Sequence, residues 1–268
     1  MKWAVEHIRR MRGGAQSHLM RCEDGGYYIV KFQNNPQGIR ILANELLGTR
    51  LAARMGLPTP PAEVVGVPQD LIADTEELVM QLGRGRALCK PGRQFGSRYP
   101  GSPAETVVFD FLPDAAYEEL ENILDFAGML VFDKWTCNTN GRQAIFLRSG
   151  AERKYQAQMI DNGFCFNASD WNFPDAPLRG IYMRHRVYAG ITGIESFEPW
   201  LSRIESRIGE AALDEIQSEI PPEWYEDDAE ALERLLEHLW RRRFLVRELL
   251  LSTWKSTAQP FPNWVSHD

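Results

Sequence analysis

The chain has 268 residues, 44% hydrophobic and 25% charged, with a net charge of −7 and a pI of about 5.4. That is a globular balance with length enough for a sizeable core in one domain or two lobes, and its acidity argues against general nucleic-acid binding. Four scattered cysteines form no C-x-x-C pair, no leader-like apolar run opens the chain, and no stretch reaches the roughly 18 apolar residues of a membrane span, so a soluble cytoplasmic protein with free thiols and no membrane partner is expected.

In chain order, Ala4–Met11 reads as a strand, and Gly13-Gly14-Ala15-Gln16-Ser17 breaks it. His18–Cys22 and Tyr27–Phe32 follow as a hairpin joined by Glu23-Asp24-Gly25-Gly26, with Lys31 near the end of the second strand. Ile39–Met55 has apolar residues at helical spacing, with Gly56 placed as a C-cap and Pro58, Pro60 and Pro61 barring continuation. Glu63–Val67 and Glu77–Leu82 are predicted strands. Gly83–Pro103, rich in Gly, Arg and Pro, reads as a long loop, functional or mobile, and its Arg84, Arg86, Arg93 and Arg98 either hold phosphate or an acidic substrate or lie on an ordinary solvated loop. Thr106–Leu112 reads as a strand, and Ala115–Val131 as one or two helices. Arg142–Gln158 is expected to be a β-hairpin. Ser196–Ile208, Glu210–Glu219 and Asp228–Trp254 close the chain as helices, the last long and amphipathic, with Arg241-Arg242-Arg243 on a solvated face.

The central stretch, Leu130–Gly163, carries most of the chemistry. Asp133 and Asn138 stand five positions apart after an apolar run, and Asp161-Asn162-Gly163 follows a strand. Phosphoryl transfer uses such a set: one carboxylate toward the acceptor hydroxyl, an amide and a second carboxylate toward the metal. Each piece has an ordinary alternative. Asp and Asn are common in turns, Asn-Gly is a favoured hairpin dipeptide, and a strand lysine usually faces water. Glu45 sits among Leu42, Leu46 and Leu47, where a carboxylate wants a counter-charge such as Lys31, or it lies on a solvated helix face. The Gly-rich turn can cradle phosphates through backbone N–H groups, but it is neither G-x-G-x-x-G nor a Walker A loop. The five histidines show no metal-ligand spacing.

Together these residues resemble the HipA-like kinases, closest to the short bacterial branch. The resemblance rests on Gly13-Gly14-Ala15-Gln16, Val30-Lys31-Phe32, Asn44-Glu45-Leu46 with Ala52 and Gly56-Leu57-Pro58, Phe95-Gly96-Ser97-Arg98, the Asp133/Asn138 pair and Ile160-Asp161, spanning about residues 10–170. It implies an α+β, two-lobed protein-kinase-like fold: a β-rich N-lobe with one long helix over 1–112 and a mainly α-helical C-lobe over 113–268. It implies ATP and Mg²⁺ as cofactors and transfer of the γ-phosphate to a Ser or Thr hydroxyl on a protein. Lys31 would then bind phosphates beside Glu45, Asp133 would be catalytic, Asn138 and Asp161 would hold the metal, the Gly13–Ser17 loop would cover the phosphates, and Asp110, Phe111 and Leu112 would form the adenine hinge. Ser17 becomes a candidate autophosphorylation site. HipA toxins carry an extra N-terminal subdomain that this chain has no room for, so an antitoxin partner is not expected. The competing readings are a kinase of a small molecule or lipid headgroup and a nucleotide-binding pseudokinase scaffold.

Overall fold

A computed structural model describes residues 1–148 and 154–265. The first part of the chain builds a closed five-stranded barrel from β1 (Lys2–Arg10), β2 (His18–Cys22), β3 (Tyr27–Lys31), β4 (Ala62–Val67) and β7 (Gly92–Arg98), in the order β1-β2-β3-β7-β4. All neighbours are antiparallel except β1 and β4, whose parallel pairing closes the ring. Alternation explains β3: Tyr28 and Val30 are buried while Tyr27 and Ile29 are half-buried. Between β2 and β3, Gly25 takes φ +75° and Asp24 Oδ1 accepts the Gly26 N–H at 2.9 Å, giving the predicted hairpin.

The helix α1 (Arg40–Arg54) packs Leu42, Leu46, Leu47 and Leu51 into the main core. It ends in a Schellman pair, Leu57 N–H to Ala52 O at 3.0 Å and Gly56 N–H to Ala53 O at 2.9 Å, with Gly56 at φ +74°. A short helix α2 (Gln69–Ala73), too short for a helical period to show in the sequence, and a hairpin of β5 (Val79–Leu82) and β6 (Gly85–Leu88) flank the barrel.

The expectation of a long loop over Gly83–Pro103 is corrected. Its middle is β7, paired on both sides and burying Gln94, Phe95 and Gly96. Gly96 signals close strand contact rather than a turn: a Cβ there would lie 2.5 Å from Val65 Cγ2. Of the four arginines assigned to that loop, Arg93 is paired with Glu223, its Nε 2.7 Å from Oε1, and only Arg98 borders the cleft described below.

The second part starts with a three-stranded sheet, β8 (Val107–Phe109), β9 (Gln143–Arg148) and β10 (Gln156–Ile160), in the order β10-β9-β8. The β9–β10 pairing matches the predicted hairpin, whose tip lies outside the described residues. Of the one or two helices expected over Ala115–Val131, the structure forms two elements, a 3₁₀ turn (Asp114–Glu119) and α3 (Asp125–Thr136). All but the first residue of α3 are buried, so it is the central rod of the helical part. Gly128 lets it pass Trp200, whose indole a Cβ would overlap.

Around α3 stand α4 (Glu198–Arg207), α5 (Glu210–Glu219), α6 (Ala229–Arg242) and α7 (Val246–Trp254). The single terminal helix expected over Asp228–Trp254 is thus two. The break falls at Arg243, which is buried and donates to Ile208 O at 2.6 Å and Trp240 O at 2.8 Å, so it does not lie on a solvated face. No described helix is long and apolar enough to cross a membrane.

Candidate active site

Between the barrel and the helical part lies a cavity of about 1,230 Å³. Three elements from distant parts of the sequence converge on it: the end of β3, the middle of α1 and the turn after β10. Lys31 Nζ is hydrogen-bonded to Glu45 Oε1 and lies 2.7 Å from Asp161 Oδ1. Glu45 is itself buried and accepts the backbone N–H groups of Asn162 and Gly163, each at 3.0 Å. One carboxylate thus ties the strand lysine to the Asp161 turn. Its isolation from water is relieved by charge and hydrogen bonds together.

Close backbone approach makes this possible. A Cβ on Gly48 would lie 2.8 Å from Asn162 Cβ, and one on Gly163 would lie 2.7 Å from Ile41 Cγ2. Asn44 completes the lock: its amide donates to Gly163 O at 2.8 Å and Ala168 O at 2.7 Å and accepts from Trp171 Nε1 at 2.8 Å. Burial opposes the Lys31 charge, but Glu45 and Asp161 outweigh it and raise the lysine above its ordinary value. Asp161 is likewise opposed by burial yet held below the usual carboxylate range by Lys31. Lys31 is therefore a fixed cation and Asp161 an anion at the cleft edge.

Asp133 and Asn138 require a correction. Asp133 lies inside the last turn of α3, not in a loop, and neither residue borders the cavity. The Asp133 side chain is sealed: Arg142 grips it through both Nε, at 2.8 Å, and Nη2, and Asn138 Nδ2 donates to it at 2.9 Å. Gly180, at φ +74°, presses on its far side, where a Cβ would overlap Asp133 Cβ. Asn138 spends its carbonyl oxygen on Asn140 N–H at 3.1 Å. Burial weakens the Arg142 charge, but Asp133 more than restores it and holds the guanidinium cationic. Arg142 then reaches Ile160 O at 2.8 Å and Asn162 Oδ1 at 3.1 Å, joining the end of α3 to the Asp161 turn. This pair positions the cleft floor. Nothing in the sequence marks Arg142 for that role, because its partners lie nine and about twenty residues away.

Alongside Arg142, Asn140 and Gln143 face the cavity from the floor, neither singled out by sequence. Gln143 Nε2 lies 2.7 Å from Asp161 Oδ2. Above, Gly13, Gly14, Ala15 and Ser17 line the cavity, and Gly13 adopts φ +121°. Gln16 turns away from it and pins the loop to β5, accepting from Gln81 N–H at 2.7 Å and donating to Gln81 O at 2.8 Å. Ser17 is buried against this loop. At the other end, Asp110 and the exposed Phe111 border the cavity, with the Arg184 guanidinium 4.8 Å from the Phe111 ring. Leu112 points into the core instead.

A phosphate-bound divalent cation needs only one or two protein carboxylates, because phosphate oxygens and waters complete its shell. Among the described residues no three His, Cys, Asp or Glu side chains form a metal cage. Asp161 with the adjoining Gln143 amide fits the phosphate-bound case. Asn138, with both ends of its amide engaged inside the protein, does not.

The model of the HipA-like kinase family matches residues 4–244. Among solved structures, the Helicobacter pylori proinflammatory kinase CtkA is 14% identical with a TM-score of 0.58, over 98% of this chain and 97% of that one. The Golgi casein kinase with Mn/ADP bound is 10% identical with a TM-score of 0.54, over 96% of this chain and 73% of that one. The Shewanella oneidensis HipA, in a complex with HipB and operator DNA, is 13% identical with a TM-score of 0.50, over 83% and 60%. These identities speak for a shared fold. No curated protein matches.

Proposed function

The chain belongs to the HipA-like kinase family, and we propose that it is a two-lobed, ATP- and Mg²⁺-dependent kinase that transfers the γ-phosphate to a hydroxyl on a protein acceptor. Family and fold support the coarser statement, a kinase-like phosphotransferase. The observation that carries the finer one is the Lys31 ammonium held between Glu45 and Asp161 at the cleft edge.

In this reading the lobes are 1–112 and 113–268, and each residue has a stated task. Lys31 donates to nucleotide phosphate oxygens and Glu45 keeps it pointed there. The backbone N–H groups of Gly13–Ala15 cover the phosphates, and Asp110 and Phe111 bound the adenine end. Asp161 would hold the cation, with the Gln143 amide beside it. When bound, the cation neutralises charge on the transferring group. The Asp133–Arg142 pair fixes the floor so that these groups need no reorganisation.

A cavity of about 1,230 Å³ leaves room for an acceptor beside the nucleotide. Thermal unfolding tests the binding half of the proposal. Mg-ATP should raise the wild-type Tm, and Asp161→Asn should remove the Mg²⁺-dependent part of that rise. A wild-type Tm indifferent to Mg-ATP would refute it.

A further inference from the structure

We propose that Asn140, not Asp133, contacts the acceptor hydroxyl, and that this chain transfers phosphate without a side-chain base. The inference rests on the kinase reading above. Three acids border the cavity, Glu45, Asp110 and Asp161, and no histidine among the described residues does. Glu45 is filled by Lys31 and two backbone N–H groups. Asp161 is shared by Lys31 and Gln143. Asp110 lies just beyond β8, on the far edge of the β10-β9-β8 sheet from β10, which leads into Asp161. Asp133 is sealed under the floor by Arg142. Among the described residues no carboxylate or imidazole is therefore free to take a proton beside Asp161.

Asn140 does face that space. It is exposed and borders the cavity, three residues before Gln143, whose amide touches Asp161. Its backbone is held from both sides: its N–H donates to Asn138 Oδ1 at 3.1 Å, and its carbonyl accepts Gly180 N–H at 3.2 Å. Its Oδ1 accepts Gly141 N–H at 2.9 Å, and its amide nitrogen makes no hydrogen bond among the described residues. A residue so anchored, with a free polar end, can orient a hydroxyl.

An amide cannot accept the hydroxyl proton. The acceptor oxygen forms its bond to the γ-phosphorus as the bond from that phosphorus to the β,γ-bridging oxygen breaks. ADP leaves with the electron pair, and the proton passes to the transferred phosphoryl group or to water. A loose, metaphosphate-like transition state makes this feasible, because little nucleophile deprotonation is needed. Turnover is slow, and Asn140→Asp supplies the missing base. An aspartate keeps an oxygen for Gly141 N–H, so the loop stays folded.

Phosphate release from Mg-ATP, with water as the acceptor, reads this directly for wild type, Asn140→Asp and Asn140→Ala. Each protein's Mg-ATP thermal shift is recorded alongside. General-base catalysis is worth on the order of 10²-fold or more, so Asn140→Asp should exceed wild type by at least about 10-fold, and its rate should fall as the pH drops through the carboxylate range. Asn140→Ala should be slower than wild type. If Asn140→Asp binds Mg-ATP yet releases phosphate no faster than wild type, the inference is overturned. No Mg-ATP thermal shift in any of the three would overturn the kinase reading, and the inference with it.

Discussion

Single residues divide into those that face the cleft and those that hold it. The Lys31–Glu45 pair was legible in the sequence because a helix glutamate in apolar company needs a counter-charge, whereas the contact of Lys31 with Asp161, 130 residues on, was not. Asp133 was misplaced because an Asp-to-Asn spacing of five says nothing about which way a helix end points. Asp133→Ala leaves Arg142 buried and unpaired, which should cost about 3–5 kcal/mol, read as a lowered denaturant midpoint. Full stability with abolished transfer would instead make Asp133 catalytic. His18 offers a second test. Burial, helped by His7 and Arg10, pulls its pKa from 6.5 to about 4. The folded state thus binds fewer protons, so stability is full above pH 6.5 and falls between there and about pH 4. At 1.36 kcal/mol per unit the loss is at most about 3 kcal/mol. Urea midpoints across this range should show the decline, and His18→Gln should flatten it.

At the scale of elements, hydrophobic periodicity located α1, the hairpin of β2 and β3, the pairing of β9 with β10, and the short helices α4 and α5. It failed where composition masked packing. In β7 the glycines and arginines look like loop residues, yet Gly96 is what lets β7 lie against Val65 of β4. The terminal helix breaks at Arg243 without any Gly or Pro, where that side chain donates to Trp240 O of α6 and to Ile208 O just after α4. Gly96→Val should overpack the barrel at a cost of about 1–3 kcal/mol. Because Lys31 on β3 pairs with Phe95 on β7, next to Gly96, the same change should weaken Mg-ATP binding. Calorimetric titration of the folded variant checks this; unchanged affinity would show that the lysine is insulated from β7.

For the molecule as a whole, the strand barrel comes first in the chain and most of the helices come after it, with the cavity lined by residues of both parts. The contacts across that cavity were not legible, because they rest on backbone groups: Glu45 reads two N–H groups of the Asp161 turn, and Asn44 reads carbonyls of the same segment. Closing the cleft is thus a property of the assembled molecule, and the proposed function makes Lys31 and Asp161 its working pair. The most direct test is γ-phosphate release from Mg-ATP by wild type, Lys31→Met and Asp161→Asn, each shown to be folded. The account predicts slow but metal-dependent release by wild type and a loss of at least about 100-fold in both variants, the scale of losing one preorganised charge contact in the transition state. Equal release by wild type and Asp161→Asn would contradict it.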